Sequence, residues 1–216
     1  MNIKNKKLST QDLVLLALLT ALVAVLSYFG GFIKIGGFAS VNLTLVPVVL
    51  GAALCGQYAG AWLGGVSGIV FFMTADAPFW LGLNAPGTVI TVMIKGIMAG
   101  LLAGLVFNLL KKHNRYLAIV ASAIIAPIVN TGIFILGCFI FFLDGVKDMA
   151  SAGGMSIGAL IIVGFVGLNF VFELIFNIVL SPAIARVLDV ADKTFKKYKK
   201  TAVKTNEPTK EKAQEN

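Results

Sequence analysis

The stretch GTVITVMIKGIMAGLLAGLVFNLL, residues 87–110, is followed directly by the basic link KKHNR, residues 111–115. Lys95 is the single charge in a run longer than the about 20 apolar residues that a helix needs to cross a hydrocarbon core. Lys and Arg are concentrated in the cytoplasmic loops of membrane proteins. The stretch therefore predicts a transmembrane helix that ends at the cytoplasmic face.

The other basic residues repeat this pattern at both ends of the chain. Residues 4–7 contain lysines that precede the first apolar run, and a basic segment begins at Arg186. Of the eighteen Lys and Arg residues, only Lys34, Lys95 and Lys147 lie outside these segments and the link. We therefore expect both termini and the link to face the cytoplasm, with an even number of crossings between them.

The composition as a whole is that of an integral membrane protein. Of the 216 residues, 58% are hydrophobic and 13% are charged, and the mean hydropathy is +0.91. A water-soluble domain of this size cannot bury so much apolar surface. The net charge of +8 does not indicate a nucleic-acid partner, because attraction to anionic lipid headgroups explains basic residues that flank apolar runs.

The apolar segments predict an all-α integral membrane protein, a bundle of six transmembrane helices with both termini cytoplasmic. Residues 41–73 are too long for one crossing, and the break at Gly56-Gln57 predicts two short antiparallel helices there. The predicted spans are residues 13–29, two within 41–73, and then 87–110, 116–143 and 157–188.

Polar and Gly-rich segments between these spans define the rest of the predicted organisation. Residues 30–40, 75–86 and 144–156 are predicted to be outer loops. Residues 1–12 then form a cytoplasmic N-terminus, residues 13–188 the transmembrane domain, and residues 189–216 a basic, partly disordered cytoplasmic tail.

Small residues recur on one face of three predicted helices. Such residues let helix backbones approach closely in lipid, so most of them are expected to pack inside the bundle. A stripe left facing lipid is expected to be a docking surface for another membrane subunit. The stripes are Gly60, Gly64 and Gly68, then Gly96, Gly100 and Gly104, and finally Ala17, Ala21 and Ala24.

The order of these patterns resembles the substrate-binding S components of the energy-coupling factor (ECF) family of vitamin transporters. The first helix has the Ala-x-x-x-Ala pattern as Ala17-Leu18-Leu19-Thr20-Ala21. The segments NLTLVPVVLGA at 42–52 and GQYAGA at 56–61 resemble the second and third helices of the family, and residues 95–105 resemble the fourth. The resemblance extends over residues 13–188.

The resemblance implies a division of labour between subunits. An S component binds a vitamin from outside, and a membrane coupling subunit with two cytoplasmic ATPases supplies the energy. The face formed by Ala17, Ala21 and Ala24 would contact the coupling subunit. The sequence has no G-x-x-x-x-G-K-[ST] phosphate loop, so ATP hydrolysis is expected to belong to partners.

Polar side chains inside the predicted spans are candidates for the substrate site, because a polar group in hydrocarbon is costly unless it is paired or hydrated. Lys95, Asn130 and Asn169 fall at similar depths in the outer half of three spans. We predict that they line one pocket, with Lys95 facing an anionic or carbonyl-rich ligand. The alternative for Lys95 is that its long stem carries the amine to the outer interface.

Residues at the predicted loop boundaries are further candidates. Asn42 and Asn84 are placed where they could join the pocket. Phe79 and Trp80 could stack on a ring of the ligand, or could anchor the outer loop at the headgroups, as interfacial aromatic residues usually do. A basic group in the pocket favours pantothenate as the vitamin, with riboflavin next.

An enzymatic function is not predicted. The segment Gly65-Val66-Ser67-Gly68 matches the G-x-S-G pattern of intramembrane serine proteases, but the single histidine, His113, lies in the basic link at the wrong depth. Ser67 is therefore interpreted as a packing residue. No catalytic residues, metal ligands or cofactors are predicted.

Two other function classes remain open at this point. A stand-alone proton-coupled secondary transporter would use Glu173, a carboxylate near mid-membrane, as its titrating group. The absence of an obvious repeated half counts against this hypothesis. A membrane scaffold without a ligand is the third class, and it leaves Lys95 without an explanation.

Overall fold

The computed structural model of the protein describes residues 10–30 and 42–206. The lysines at residues 4–7, most of the first predicted outer loop with Lys34, and the tail from residue 207 lie outside the described residues. All regular structure in the two described ranges is helical. The helices are α1 Thr10–Gly30, α2 Leu45–Cys55, α3 Gln57–Phe71, α4 Ala77–Leu110, α5 Arg115–Ile140, α6 Leu143–Ala152, α7 Ile157–Ala159, a π-helix Leu160–Gly167, and α8 Leu168–Asn206.

The prediction of an all-α membrane protein is confirmed. Within the described ranges, four helical segments are long and apolar enough to cross a membrane: α1, α4, α5 and Ile157–Val190. Large apolar side chains cover their outer surfaces, including Leu18 at 65% and Ile162 at 67% exposure. Apolar surface of this extent is suited to lipid and not to water.

The predicted break at Gly56-Gln57 is also confirmed. Gly56 separates α2 from α3 with a φ of 102°, a left-handed conformation that glycine adopts without a steric penalty. The two helices fold back on each other, since Gly60 lies against Ala52 and Gly51 against Leu63. With 11 and 15 residues, each is shorter than α1, α4 and α5.

Two of the predicted small-residue stripes pack on each other and form what we call the glycine seam. Gly60 meets Gly100 and Gly64 meets Gly96, so that α3 and α4 run antiparallel with their backbones in contact. A Cβ atom on Gly64 would overlap the carbonyl oxygen of Gly96. The seam explains the spacing of these glycines as internal packing.

The prediction that residues 75–86 form a loop is wrong. Helix α4 begins at Ala77, with a proline in its first turn, and is interrupted only at Asn84, where the backbone is extended (φ −161°, ψ 99°). Proline is tolerated in the first turn because the N–H groups there have no intrahelical acceptor. The segment before the kink packs inward through Trp80, which is 6% exposed.

The prediction that residues 144–156 form a loop is wrong as well. Helix α6 occupies most of this segment, and its apolar residues Val146 and Ala150 are buried one turn apart, following Phe142. An ion pair between Lys147 and Asp144 at 3.1 Å lies on the exposed side. The charges and glycines of this segment suggest a loop, but the segment forms a short amphipathic helix.

The basic link and the start of the tail lie at the same end of the bundle. Arg115, at the start of α5, forms an ion pair with Asp189 of α8 at 3.5 Å. The turn at Gly56 belongs to this end too, because Gln57 lies against Gly104 near the end of α4. Helix α8 continues into the tail as far as Asn206, where the described residues end. The C-terminal ends of α1, α3 and α5, and the N-terminal ends of α4 and α8, therefore lie at the opposite end.

Candidate functional site

A cavity with a volume of about 130 Å³ lies at the end of the bundle opposite the basic link. Its walls come from the C-terminal parts of α1, α3 and α5, from residues 80–96 of α4 and from the start of α8. Its lining combines five aromatic residues with twelve polar or charged ones, so the cavity offers both ring contacts and hydrogen bonds to a small molecule.

Lys95 is the basic residue of this cavity. It stands on α4, and its amine lies 5.9 Å from the ring centre of Phe71 and 5.3 Å from that of Phe134. These rings stabilise the cation through their π faces. No ion pair to Lys95 is found among the described residues. The Lys95 side chain therefore forms part of the cavity wall and does not extend to the membrane interface.

Glu173 provides a carboxylate in the same cavity. Its side chain is 5% exposed, and its Oε1 atom accepts a hydrogen bond of 3.0 Å from the backbone N–H of Asn42. Its Oε2 atom has no hydrogen-bond partner in the part of the chain that is described. Asn169, one turn earlier on α8, is also buried and lines the cavity. Asp76, which precedes α4, contributes a second carboxylate.

A chain of hydrogen bonds connects Glu173 to α1. The Asn42 side chain accepts bonds from the backbone N–H (3.2 Å) and the hydroxyl of Thr44. The Thr44 hydroxyl lies 3.0 Å from the Ser67 hydroxyl, which in turn accepts a bond of 3.0 Å from Ser27. Four parts of the fold thus meet at this side of the cavity through polar contacts.

A row of polar residues on α4 forms another wall. Thr88, Thr91 and Lys95 follow one another at spacings of three and four residues, which places them on one helix face. Thr88 donates its hydroxyl to the carbonyls of Trp80 (2.7 Å) and Asn84 (2.8 Å). The Thr91 hydroxyl has no partner among the described residues, and Gly137 of α5 makes room for this side chain.

Aromatic residues close the cavity toward α6. The Trp80 ring packs edge-on against Phe134 and Phe142, with centroid distances of 5.2 and 5.3 Å. Phe79 touches Trp80 from outside, is 47% exposed and does not line the cavity. The two neighbouring aromatic residues therefore differ in position: Trp80 faces the cavity and Phe79 faces outward.

The structure brings most of the predicted binding residues together. Five of them line this one cavity: Lys95, Asn130, Asn169, Asn42 and Trp80. The two that it places elsewhere are Phe79 and Asn84. The Asn84 side chain accepts a bond of 2.8 Å from the N–H of Gly87 and donates one of 3.1 Å to the carbonyl of Phe141, so it holds the kink of α4.

Several lining residues were not predicted from the sequence. Ser67 was interpreted as a packing residue, and Ser27 and Thr91 were not considered. Thr91 lies four residues before Lys95, and Glu173 lies four residues after Asn169. This spacing puts each pair on one helix face and would have identified both residues as lining. Metal ligation has no support in the described ranges, where no group of three or more metal-binding side chains is found.

The third small-residue stripe has a different environment from the glycine seam. Ala17 and Ala21 are exposed and Ala24 is half-buried. The opposite side of α1 is buried through Leu19 and Val23, which pack against α2 and α3. The alanine face is therefore a smooth outer surface of the described bundle.

Comparison with known proteins agrees with this architecture. The family model described as "ECF transporter, substrate-specific component" matches residues 11–185. A pantothenic acid transporter of Lactococcus lactis subsp. cremoris is 27% identical over 202 residues, covering 86% of this chain and 97% of the relative. No solved structure matches the chain. The chain therefore belongs to the family of substrate-specific components of ECF transporters, which are transport proteins and not enzymes.

Proposed function

We propose that this protein captures pantothenate from outside the cell and delivers it to an ECF-type coupling module. The observation that carries the proposal is a cavity whose cation, Lys95, has no ion-pair partner among the described residues. A carboxylate on the ligand would supply that partner in a site of low dielectric, where charge pairing is strong. The similarity to a pantothenic acid transporter supports the same ligand, and riboflavin is the second candidate.

The topology in this proposal has six crossings, with α2 and α3 as the two short ones. Both termini and the basic link face the cytoplasm of the cell membrane. The positions of Lys111, Lys112 and Arg115 support this orientation, because they lie at the end of the bundle away from the cavity. The cavity is then on the outer side, where a nutrient arrives.

Delivery requires partners in this proposal: a membrane coupling subunit and two cytoplasmic ATPases. The exposed face of Ala17 and Ala21 supports a contact with the coupling subunit, since small residues allow close helix approach in lipid. The bilayer covers the remaining apolar surface. No nucleic acid and no resident cofactor take part.

Ligand binding to the purified protein tests the proposal. Native mass spectrometry and calorimetric titration with a vitamin panel are expected to identify pantothenate as the bound ligand. Lys95→Met should weaken binding by about ten- to hundredfold, the effect of losing one charge-assisted contact. Lys147→Met is the matched control, because Lys147 is exposed on α6. Binding of a cationic vitamin, or equal binding by both variants, would contradict the assignment.

Uptake by proteoliposomes separates this function from proton-coupled transport by the isolated chain. Glu173, buried in the cavity, is the observation that supports the alternative. We expect accumulation of pantothenate only when the coupling subunit, the ATPases and ATP are present. Uptake driven by a pH gradient alone, and lost in Glu173→Gln, would favour the alternative.

A further inference from the structure

The cavity contains more hydrogen-bond acceptors than the protein itself satisfies. The Oε2 atom of Glu173, the Oδ1 atom of Asn130 and the Oγ1 atom of Thr91 are buried and have no hydrogen-bond partner among the described residues. A buried polar atom without a partner is costly, because it has given up its hydrogen bonds to water. Three such atoms in one cavity indicate groups that a ligand completes.

Contacts elsewhere in the site fix two of these groups, Glu173 and Thr91, in position. The other oxygen of Glu173 is bound by the Asn42 N–H at 3.0 Å, which fixes the carboxylate. Thr91 stands against Gly137, where a Cβ atom would overlap its side chain. Thr88, one turn away on the same face, shares its hydroxyl proton between two backbone carbonyls. The Thr88 hydroxyl therefore has a structural role, whereas the Thr91 hydroxyl is available to a ligand.

We propose that Thr91, Asn130 and Glu173 form a recognition surface for hydroxyl donors on the substrate, which makes the preferred ligand a hydroxylated carboxylic acid. This inference rests on the proposed function and deepens it. The ligand carboxylate lies toward Lys95, because Glu173 repels a second carboxylate. Its donor-bearing end lies against the acceptors of α4, α5 and α8. Pantothenate has this form, with a carboxylate at one end and two hydroxyl groups at the other.

The test pairs variants of the protein with variants of the ligand. The ligands are pantothenate, its alcohol analogue panthenol, and an analogue in which both pantoyl hydroxyls are replaced by hydrogen. Thr91→Val is nearly isosteric and removes no hydrogen bond seen among the described residues. Glu173→Gln replaces the free oxygen with an amide. Ser122→Ala is the control, since Ser122 is buried outside the cavity and bonds to the carbonyls of Ala103 and Ala118.

The expected result is a crossed pattern of affinities. Thr91→Val and Glu173→Gln should each lower the affinity for pantothenate and for panthenol by about ten- to hundredfold. The affinity for the dehydroxylated analogue should stay unchanged. Lys95→Met should lower the affinity for pantothenate and for the dehydroxylated analogue, and the affinity for panthenol should stay unchanged. Ser122→Ala should lower the unfolding temperature without changing the order of the three ligands. Should Glu173→Gln fail to fold, Thr91→Val carries the comparison alone.

The outcomes that overturn the inference are distinct from those that overturn the function. The proposed recognition surface is wrong if the unmodified protein binds pantothenate and its dehydroxylated analogue equally. It is also wrong if Thr91→Val lowers the affinity for all three ligands alike. In both cases the proposed function stands. If the unmodified protein binds none of the three ligands, the assignment to pantothenate is wrong and the inference falls with it.

Discussion

Single residues in and around this cavity divide into those with a polar atom available to a ligand and those whose hydrogen bonds hold the walls. Asn84 and Asn130 illustrate the difference. Asn84 has its polar atoms engaged with Gly87 and Phe141, whereas Asn130 presents a carbonyl oxygen with no partner among the described residues. Both asparagines were predicted as binding residues, because sequence position indicates depth but not the direction of a side chain.

The structural role of Asn84 predicts a loss of stability when it is changed. Asn84→Ala leaves the N–H of Gly87 and the carbonyl of Phe141 without their bonds, and we expect the free energy of unfolding to fall by about 1–3 kcal/mol. Thermal unfolding in detergent, followed by circular dichroism, measures the change. Asn108→Ala is the control, because Asn108 bonds an exposed lysine, Lys111. Equal stability of the two variants would contradict this role.

Small hydroxyl residues show the limit of sequence reasoning at this scale. Lys95, Asn130 and Asn169 could be identified because long polar side chains within apolar runs need an explanation. Ser27 and Ser67 could not, since serine in a membrane helix usually bonds its own backbone. Only the folded arrangement shows that their hydroxyls bond each other across 40 positions of sequence.

At the scale of helices, the predictions succeeded where a long apolar run indicated the helix. They failed where tertiary packing determines that a helix forms. The spans of α4 and α5 and the break at Gly56 followed from uninterrupted hydrophobic runs. The segment before Asn84 and helix α6 were missed, because Pro78, Asp144 and the paired glycines suggested loops. Trp80 and Val146 fold these segments onto the cavity wall, a tertiary effect that outweighs local composition.

The glycine seam predicts a sharp contrast between two adjacent positions of α3. In Gly64→Ala the new methyl group overlaps the backbone of Gly96, so α3 and α4 must separate, at a cost of about 1–3 kcal/mol. In Gly65→Ala the methyl group lies 3.4 Å from the nearest atom, on the side chain of Ile97, which is an ordinary van der Waals contact. Unfolding temperatures of the two variants in the same detergent provide the comparison. A Gly64→Ala protein as stable as Gly65→Ala would show that the backbones are not in contact.

At the scale of the whole molecule, the arrangement has two chemically different ends. One end carries the basic link, the Arg115–Asp189 ion pair and the start of the tail. The other carries the cavity, α6 and the kinked start of α4. The charge pattern of the sequence alone predicted that the two ends differ, because the segments that flank the apolar runs differ in their Lys and Arg content. It could not predict which side chains meet at the cavity end.

The proposed orientation is testable by labelling from one side of the membrane. In a chain whose native cysteines, Cys55 and Cys138, are replaced by alanine, Asp148→Cys on α6 should react with a membrane-impermeant maleimide on intact cells. Lys112→Cys in the link should react only after the membrane is opened. The opposite pattern would reverse the orientation and place the cavity on the cytoplasmic side.

Helix α4 has two faces with different roles. One of its faces, with Thr88, Thr91 and Lys95, lines the cavity, while a neighbouring face, with Gly100 and Gly104, holds the backbone of α3. Under the proposed function, a few substitutions on the first face change which nutrient the cavity prefers. The packing of α3 on α4 stays unaltered, because it depends on the second face.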